Sequence, residues 1–235
     1  MPVRSTASAT GSDALPWRRL ALLAALVSLG AVAASPARAQ QKKKAPAGVS
    51  AASAASAPSG AAVYAERFAN VCAACHGANG RSDMPGTPVL AGQHSLYAIT
   101  QLFLFREARR KNEAMVALAK PMTDADLRGY SDFIGTLPAV AAPVPAAPPD
   151  AARMSKGQAL AQQHKCVFCH GADLTGGQGV PRIGGQKEDY VRDTLHGFKS
   201  GDRPGYTRAM TEALSQVPAA DLDLLAYYVA NYTGK

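Results

Sequence analysis

The chain has 235 residues, a formal charge of +8, 47% hydrophobic residues and only 6% aromatic ones. The length sets a prior of one or two domains, and so few aromatics leave little for two self-sufficient cores. The charge does not mark a nucleic-acid binder: Lys42, Lys43 and Lys44 carry three of the surplus charges, and residues 61–138 (eight bases, seven acids) and 152–235 (ten bases, eight acids) are close to neutral.

Residues 1–39 read as an export signal. Arg18 and Arg19 precede an uncharged apolar run, Leu20 to Ala34, and Ala37-Arg38-Ala39 is a small-x-small cleavage site before Gln40. The run is shorter than the ~20 residues of a membrane span, so cleavage near Ala39/Gln40 and release into the periplasm is the expectation, with an uncleaved anchor as the alternative. Residues 40–60 carry no periodicity and read as a disordered leader.

From Ala61 to Val71, the residues Val63, Tyr64, Phe68 and Val71 recur at helical spacing and predict an amphipathic helix leading into Cys72. There the chain reads Cys72-Ala73-Ala74-Cys75-His76, and later Cys166-Val167-Phe168-Cys169-His170, using all four cysteines. C-x-x-C-H is the spacing for covalent attachment of a c-type haem: two thiols add to one porphyrin and the imidazole becomes the fifth iron ligand. In an oxidising compartment four cysteines could instead form two disulfides, but redox Cys-x-x-Cys sites normally lack a following His in both copies. Two pairs 94 residues apart fit one shared zinc poorly. Two covalently bound haem c groups are therefore expected.

The chain is a duplication. The C-x-x-C-H-Gly-Ala stretches match at an offset of 94; Pro88–Gln93 matches Pro181–Gln186, Tyr97 matches Tyr190, Phe105 matches Phe198 and Arg110 matches Arg203 at 93; Asp126 matches Asp221 at 95. A thioether as sixth ligand keeps the iron low-spin and raises its potential. Of six methionines only Met115 and Met210 pair across the repeat, 43 and 44 positions after the first cysteine of their halves. They are the candidate iron ligands beside His76 and His170, whereas Met122 reads as core filling and Met84 as a loop residue too close to His76. Pro88 and Pro181, 12 and 11 residues after their His, stiffen a loop able to offer a backbone carbonyl to the imidazole Nδ1–H. His94, His164 and His196 have no counterpart in the repeat and read as surface or helix-capping residues.

Each half reads as helix, loop, helix, loop, helix, an all-α arrangement with no strand pattern. The middle helices are predicted over Ser95–Lys111 and Glu188–Lys199, the first with an apolar face of Leu96, Ile99, Leu102 and Phe103. The last helices open at Thr123 and Pro218, with acids in the first turn, and bury Leu127, Tyr130, Phe133 and Ile134, or Leu222, Leu225, Tyr228 and Val229. The predicted organisation is two tandem haem-binding domains, 61–138 and 152–235, joined by a stiff Pro/Ala-rich linker, 139–151.

On CAACHGANG, CVFCHGADL, PVLAGQ and PRIGGQ, together with the paired methionines, residues 61–235 resemble the dihaem cytochromes c of the cytochrome c4 type. The resemblance implies two cytochrome c folds, each a small bundle of helices around one His/Met haem, related by a pseudo-twofold axis. It implies an electron carrier between a quinol-oxidising complex or dehydrogenase and a terminal oxidase or reductase, with redox proteins as partners. Two alternatives are a dihaem redox enzyme of peroxidase or thiosulfate-oxidising type, with one iron open or bearing a displaceable ligand, and a cytochrome subunit held in a dehydrogenase or oxidase complex.

Overall fold

In the first half, a helix broken in its middle carries the chain to the first Cys-x-x-Cys-His. The computed structural model describes residues 60–140 and 147–234; the signal and leader expected over residues 1–60 fall, up to residue 59, outside the described residues, as do linker residues 141–146. Helix α1 (Gly60–Arg67) passes into a π-helical turn, Phe68–Cys72, and then into α2 (Ala73–His76). The helix expected from Ala61 to Val71 is thus present, with a π-turn in its second half. A π-turn adds a residue to the turn and re-aims the helix beyond it. Phe68, at its start, is buried with its ring centroid 5.0 Å from that of Phe133.

The middle helix α3 (Ser95–Arg106) stops five residues before the predicted end. Ala108 adopts φ 50°, and the N–H groups of Arg109 and Arg110 both donate to the Leu104 carbonyl, at 2.8 and 3.0 Å, closing the helix. Leu96, expected on the buried face, is 54% exposed, while Leu104 and Phe105 are buried. The helix is apolar almost all round, so spacing alone does not select the face that docks.

A further correction is an extra short helix in each half, α4 (Glu113–Ala119) in the first. Asn112 starts it, its side-chain oxygen accepting from the Met115 N–H at 2.9 Å. Helix α5 (Asp124–Thr136) begins in a reciprocal cap: Thr123 Oγ1 accepts from Asp126 N–H at 3.2 Å and an Asp126 oxygen accepts from Thr123 N–H at 3.0 Å. It packs on α1 and α3 through Leu127, Tyr130 and Ile134.

The second half repeats the plan. Helix α6 (Ala151–Gln163), capped by Asp150, ends before Lys165, whose φ of 58° separates it from α7 (Cys166–His170). Then come α8 (Glu188–Ser200), α9 (Ala209–Ser215) and α10 (Ala219–Ala230). First and last helices cross at a glycine in both halves, on opposite partners. A Cβ at Gly129 of α5 would lie 1.9 Å from the Tyr64 ring of α1; one at Gly157 of α6 would lie 2.4 Å from Tyr228 Cβ of α10. Among the described residues there is no β-strand, only an isolated pairing of Gly177 with Val180.

Candidate haem centres

Each attachment motif presents one half-buried and one exposed thiol: Cys72 and Cys75, then Cys166 and Cys169. Burial pushes the Cys72 thiol up to about 11 and raises that of Cys166 as well. His76 and His170 close the motifs and are 7% and 6% exposed. Their Nδ1 atoms lie 3.1 Å from the Pro88 carbonyl and 3.0 Å from the Pro181 carbonyl. A carbonyl only accepts, so Nδ1 carries the proton and Nε2 keeps the lone pair that a metal takes. Burial lowers both imidazole pKa values; the proline carbonyls oppose this, and the Arg110 charge adds to it at His76. Both shifts favour the neutral ring.

Gly77 and Gly171 follow the histidines at φ 76°, ψ 151° and φ 80°, ψ 157°, a region that essentially only glycine occupies. They turn the chain sharply enough for the His76 carbonyl to accept from Ser82 N–H at 2.9 Å and the His170 carbonyl from Gly176 N–H at 2.8 Å. The loop so formed returns the proline beside the ring.

Met115 sits on α4 and Met210 on α9, both half-buried. Met115 borders the cluster of Leu102, Leu127 and Tyr130, as does Cys72; Met210 and Cys166 both border the second-half core. Met122 and Met154 pack against these cores, and Met84 is exposed. A thiol pair, an imidazole with a free Nε2 and a thioether bordering the same cluster as the first thiol form a donor set suited to one covalently held haem. The set occurs twice.

Between the halves lies a group that the sequence marked only as repeat matches. The Tyr190 hydroxyl accepts from Arg110 at 2.9 Å and from Arg203 at 3.1 Å, with Tyr97 alongside. Burial alone would push the Tyr190 phenol up, but the two guanidiniums outweigh it and hold the phenol below the usual tyrosine value. Tyr97 moves the opposite way, raised by burial and by Tyr190. His94, read as a surface or helix-capping residue, stands at the N-cap of α3 and also reaches across the junction, its Nε2 2.9 Å from the Thr175 carbonyl. Asp189 accepts from Gly86 N–H at 2.6 Å, and the Lys187 ammonium donates to the Met84 carbonyl. His164 ends α6 near Asp221, and His196 lies 3.2 Å from Asp223.

The chain is similar to known proteins over both halves. The family model described as Cytochrome c matches twice, at residues 59–138 and 154–233. Cytochrome c4 of Thiocapsa roseopersicina is 36% identical over 159 residues, covering 62% of this chain and 80% of that protein. A thiosulfate dehydrogenase electron acceptor of Thiomonas intermedia is 31% identical over 170 residues, covering 63% and 77%. The crystal structure of reduced cytochrome c4 from Pseudomonas stutzeri superposes with a TM-score of 0.66 at 26% identity, covering 74% of this chain and 98% of that one. The chain belongs to the cytochrome c family, as a dihaem electron-transfer protein of the cytochrome c4 type with a covalent haem c in each of two tandem domains.

Proposed function

We propose that the protein is an exported, periplasmic carrier that passes single electrons from a quinol-oxidising complex or dehydrogenase to a terminal oxidase or reductase. The observation that carries this reading is the doubled donor set: His76 with Met115 and His170 with Met210 would fill both axial positions of both irons. When bound, each haem supplies a one-electron ferric/ferrous couple. Cys72, Cys75, Cys166 and Cys169 would anchor it, and the Pro88 and Pro181 carbonyls fix the histidine rings through Nδ1, leaving Nε2 free as the nitrogen that would take the iron. Thioether ligation favours the ferrous state and sets a positive potential. With both ligand pairs engaged, the task left to the protein would be brief docking to a redox partner over a small surface.

No helix among the described residues is long and apolar enough to cross a membrane. A dehydrogenase acting on thiosulfate is a specific candidate donor, because one relative is named as the electron acceptor of such an enzyme. The same relative keeps the enzyme reading in view, with the first haem bearing a displaceable Met115.

The deciding experiment is a reduced-minus-oxidised spectrum with haem quantification, read beside the ferric sulfur-to-iron charge-transfer band. Two c haems and two methionine signatures are expected, Met115→Ala and Met210→Ala each removing one. Thiosulfate turnover by the purified protein alone, with a spectrum unchanged in Met115→Ala, would sink the carrier reading.

A further inference from the structure

The proline loops end in Gln93 and Gln186, both 7% exposed, and neither side chain is used by its own half's histidine. Each crosses to the opposite loop. Gln186 Oε1 accepts from Val89 N–H at 2.8 Å and its Nε2 donates to the Val89 carbonyl at 2.9 Å. Gln93 Oε1 accepts from Arg182 N–H at 3.0 Å and its Nε2 donates to the Arg182 carbonyl at 2.9 Å. Backbone partners fix both amide orientations, since an N–H can only donate and a C=O only accept.

The residue gripped is in each case the one after the proline. Val89 N–H therefore belongs to the same peptide group as the Pro88 carbonyl that accepts from His76, and Arg182 N–H to the same group as the Pro181 carbonyl that accepts from His170. A peptide group is one conjugated unit. Donation at its nitrogen end increases electron density at its oxygen, and hydrogen bonds in such a chain strengthen one another by roughly 10–30% each. A better carbonyl acceptor draws harder on the imidazole Nδ1–H and makes Nε2 a stronger metal donor. The grip also stops the peptide plane from rotating its oxygen away from the ring.

We propose that Gln186 and Gln93 are crossed positioning residues, each setting the donor strength of the axial histidine in the other half: Gln186 for His76, Gln93 for His170. This rests on reading His76 and His170 as iron ligands. A bland role as interdomain adhesive predicts lost stability with no haem-specific effect; the relay predicts a haem-specific one with a crossed address.

The test is potentiometric titration followed by NMR, each haem's signals being assigned through contacts to its own cysteines. Gln186→Leu should raise the midpoint potential of the haem on Cys72 and Cys75 and leave the other in place; Gln93→Leu should do the reverse. His94→Leu, which removes a junction bond outside the relay, should move neither. If His76 and His170 are not ligands, their ring protons show no hyperfine shift in the unaltered oxidised protein, and that premise fails by itself. If the shifts are present but the glutamine variants move neither potential, both equally, or the haem of their own half, the relay is overturned. Should one variant not fold, the reciprocal one carries the same crossed prediction.

Discussion

Tyr190 accepts hydrogen bonds from two guanidinium groups, Arg110 of the first half and Arg203 of its own, whose other partners include the neutral Gln101 and Thr194. The phenol oxygen is thus an acceptor that the two guanidiniums share. The two charges hold its pKa below the usual value near 10 despite burial. A folded-state pKa lowered in this way means the unfolded chain keeps the proton to higher pH. Stability is then gained as pH rises from the lowered value toward about 10 and is fully present above it. Tyr190→Phe should cost about 1.5–3 kcal/mol, the range for hydrogen bonds to charged groups. The deficit should be larger at about pH 9 than at about pH 6, on either side of the lowered value. Urea unfolding at both pH values reads this directly; an equal deficit at the two would show that the phenol stays protonated in the fold. At this scale the attachment motifs were legible because covalent chemistry dictates their spacing. Tyr190 was visible as the repeat partner of Tyr97 and Arg110 as that of Arg203, but their spacing along the chain does not say that Arg110 reaches Tyr190.

Periodicity and capping residues predicted α3, α5, α8 and α10, and their helical type held; α6, as long as any of them, was given no residues of its own. What failed were features too short or too local for a period to show. Seven-residue α4 and α9 span about two turns, and the charged stretch after Arg106 has helix-forming composition yet breaks at Ala108. Asn112 before an acid was the readable sign of α4, since that pair is a helix-start signature. The glycine crossings were likewise invisible, because helix propensity counts against glycine. Packing reverses that preference at Gly157. Alanine there would gain about 1 kcal/mol of propensity, but its Cβ would meet Tyr228 Cβ at 2.4 Å and the Leu224 carbonyl at 2.7 Å. Both atoms lie on or next to the backbone and cannot swing aside, and overpacking of this kind costs about 1–3 kcal/mol. Gly157→Ala should therefore lower the thermal midpoint, whereas Gly60→Ala, with nothing within 4 Å, should not. A midpoint for Gly157→Ala at or above the parent would mean that α6 and α10 can part at no cost.

Taken whole, the two halves lean on each other at the very loops that orient their histidines. Val89 N–H, in the first half, has its hydrogen-bond partner in the second; so does Gly86 N–H, through Asp189. The amides of α5, by contrast, are satisfied inside their own helix and pack on α1 and α3 of the same half. Local opening of the second half should thus expose Val89 and Gly86 before it touches α5, since exchange follows the smallest unit that must open. Cys166→Ala with Cys169→Ala provides the lever: it removes covalent haem from the second half, a small domain that leans on its cofactor for apolar burial. The variant should bind one haem per chain and keep every residue of the first centre. Amide exchange should then quicken at Val89 and Gly86, with α5 still protected. If exchange quickens throughout α10 while Val89 stays as protected as in the parent, the halves are energetically independent and the junction bonds re-form around a loosened partner. If α5 loses protection as well, the two domains unfold as one unit, and the crossed loops are the contacts through which that cooperativity passes.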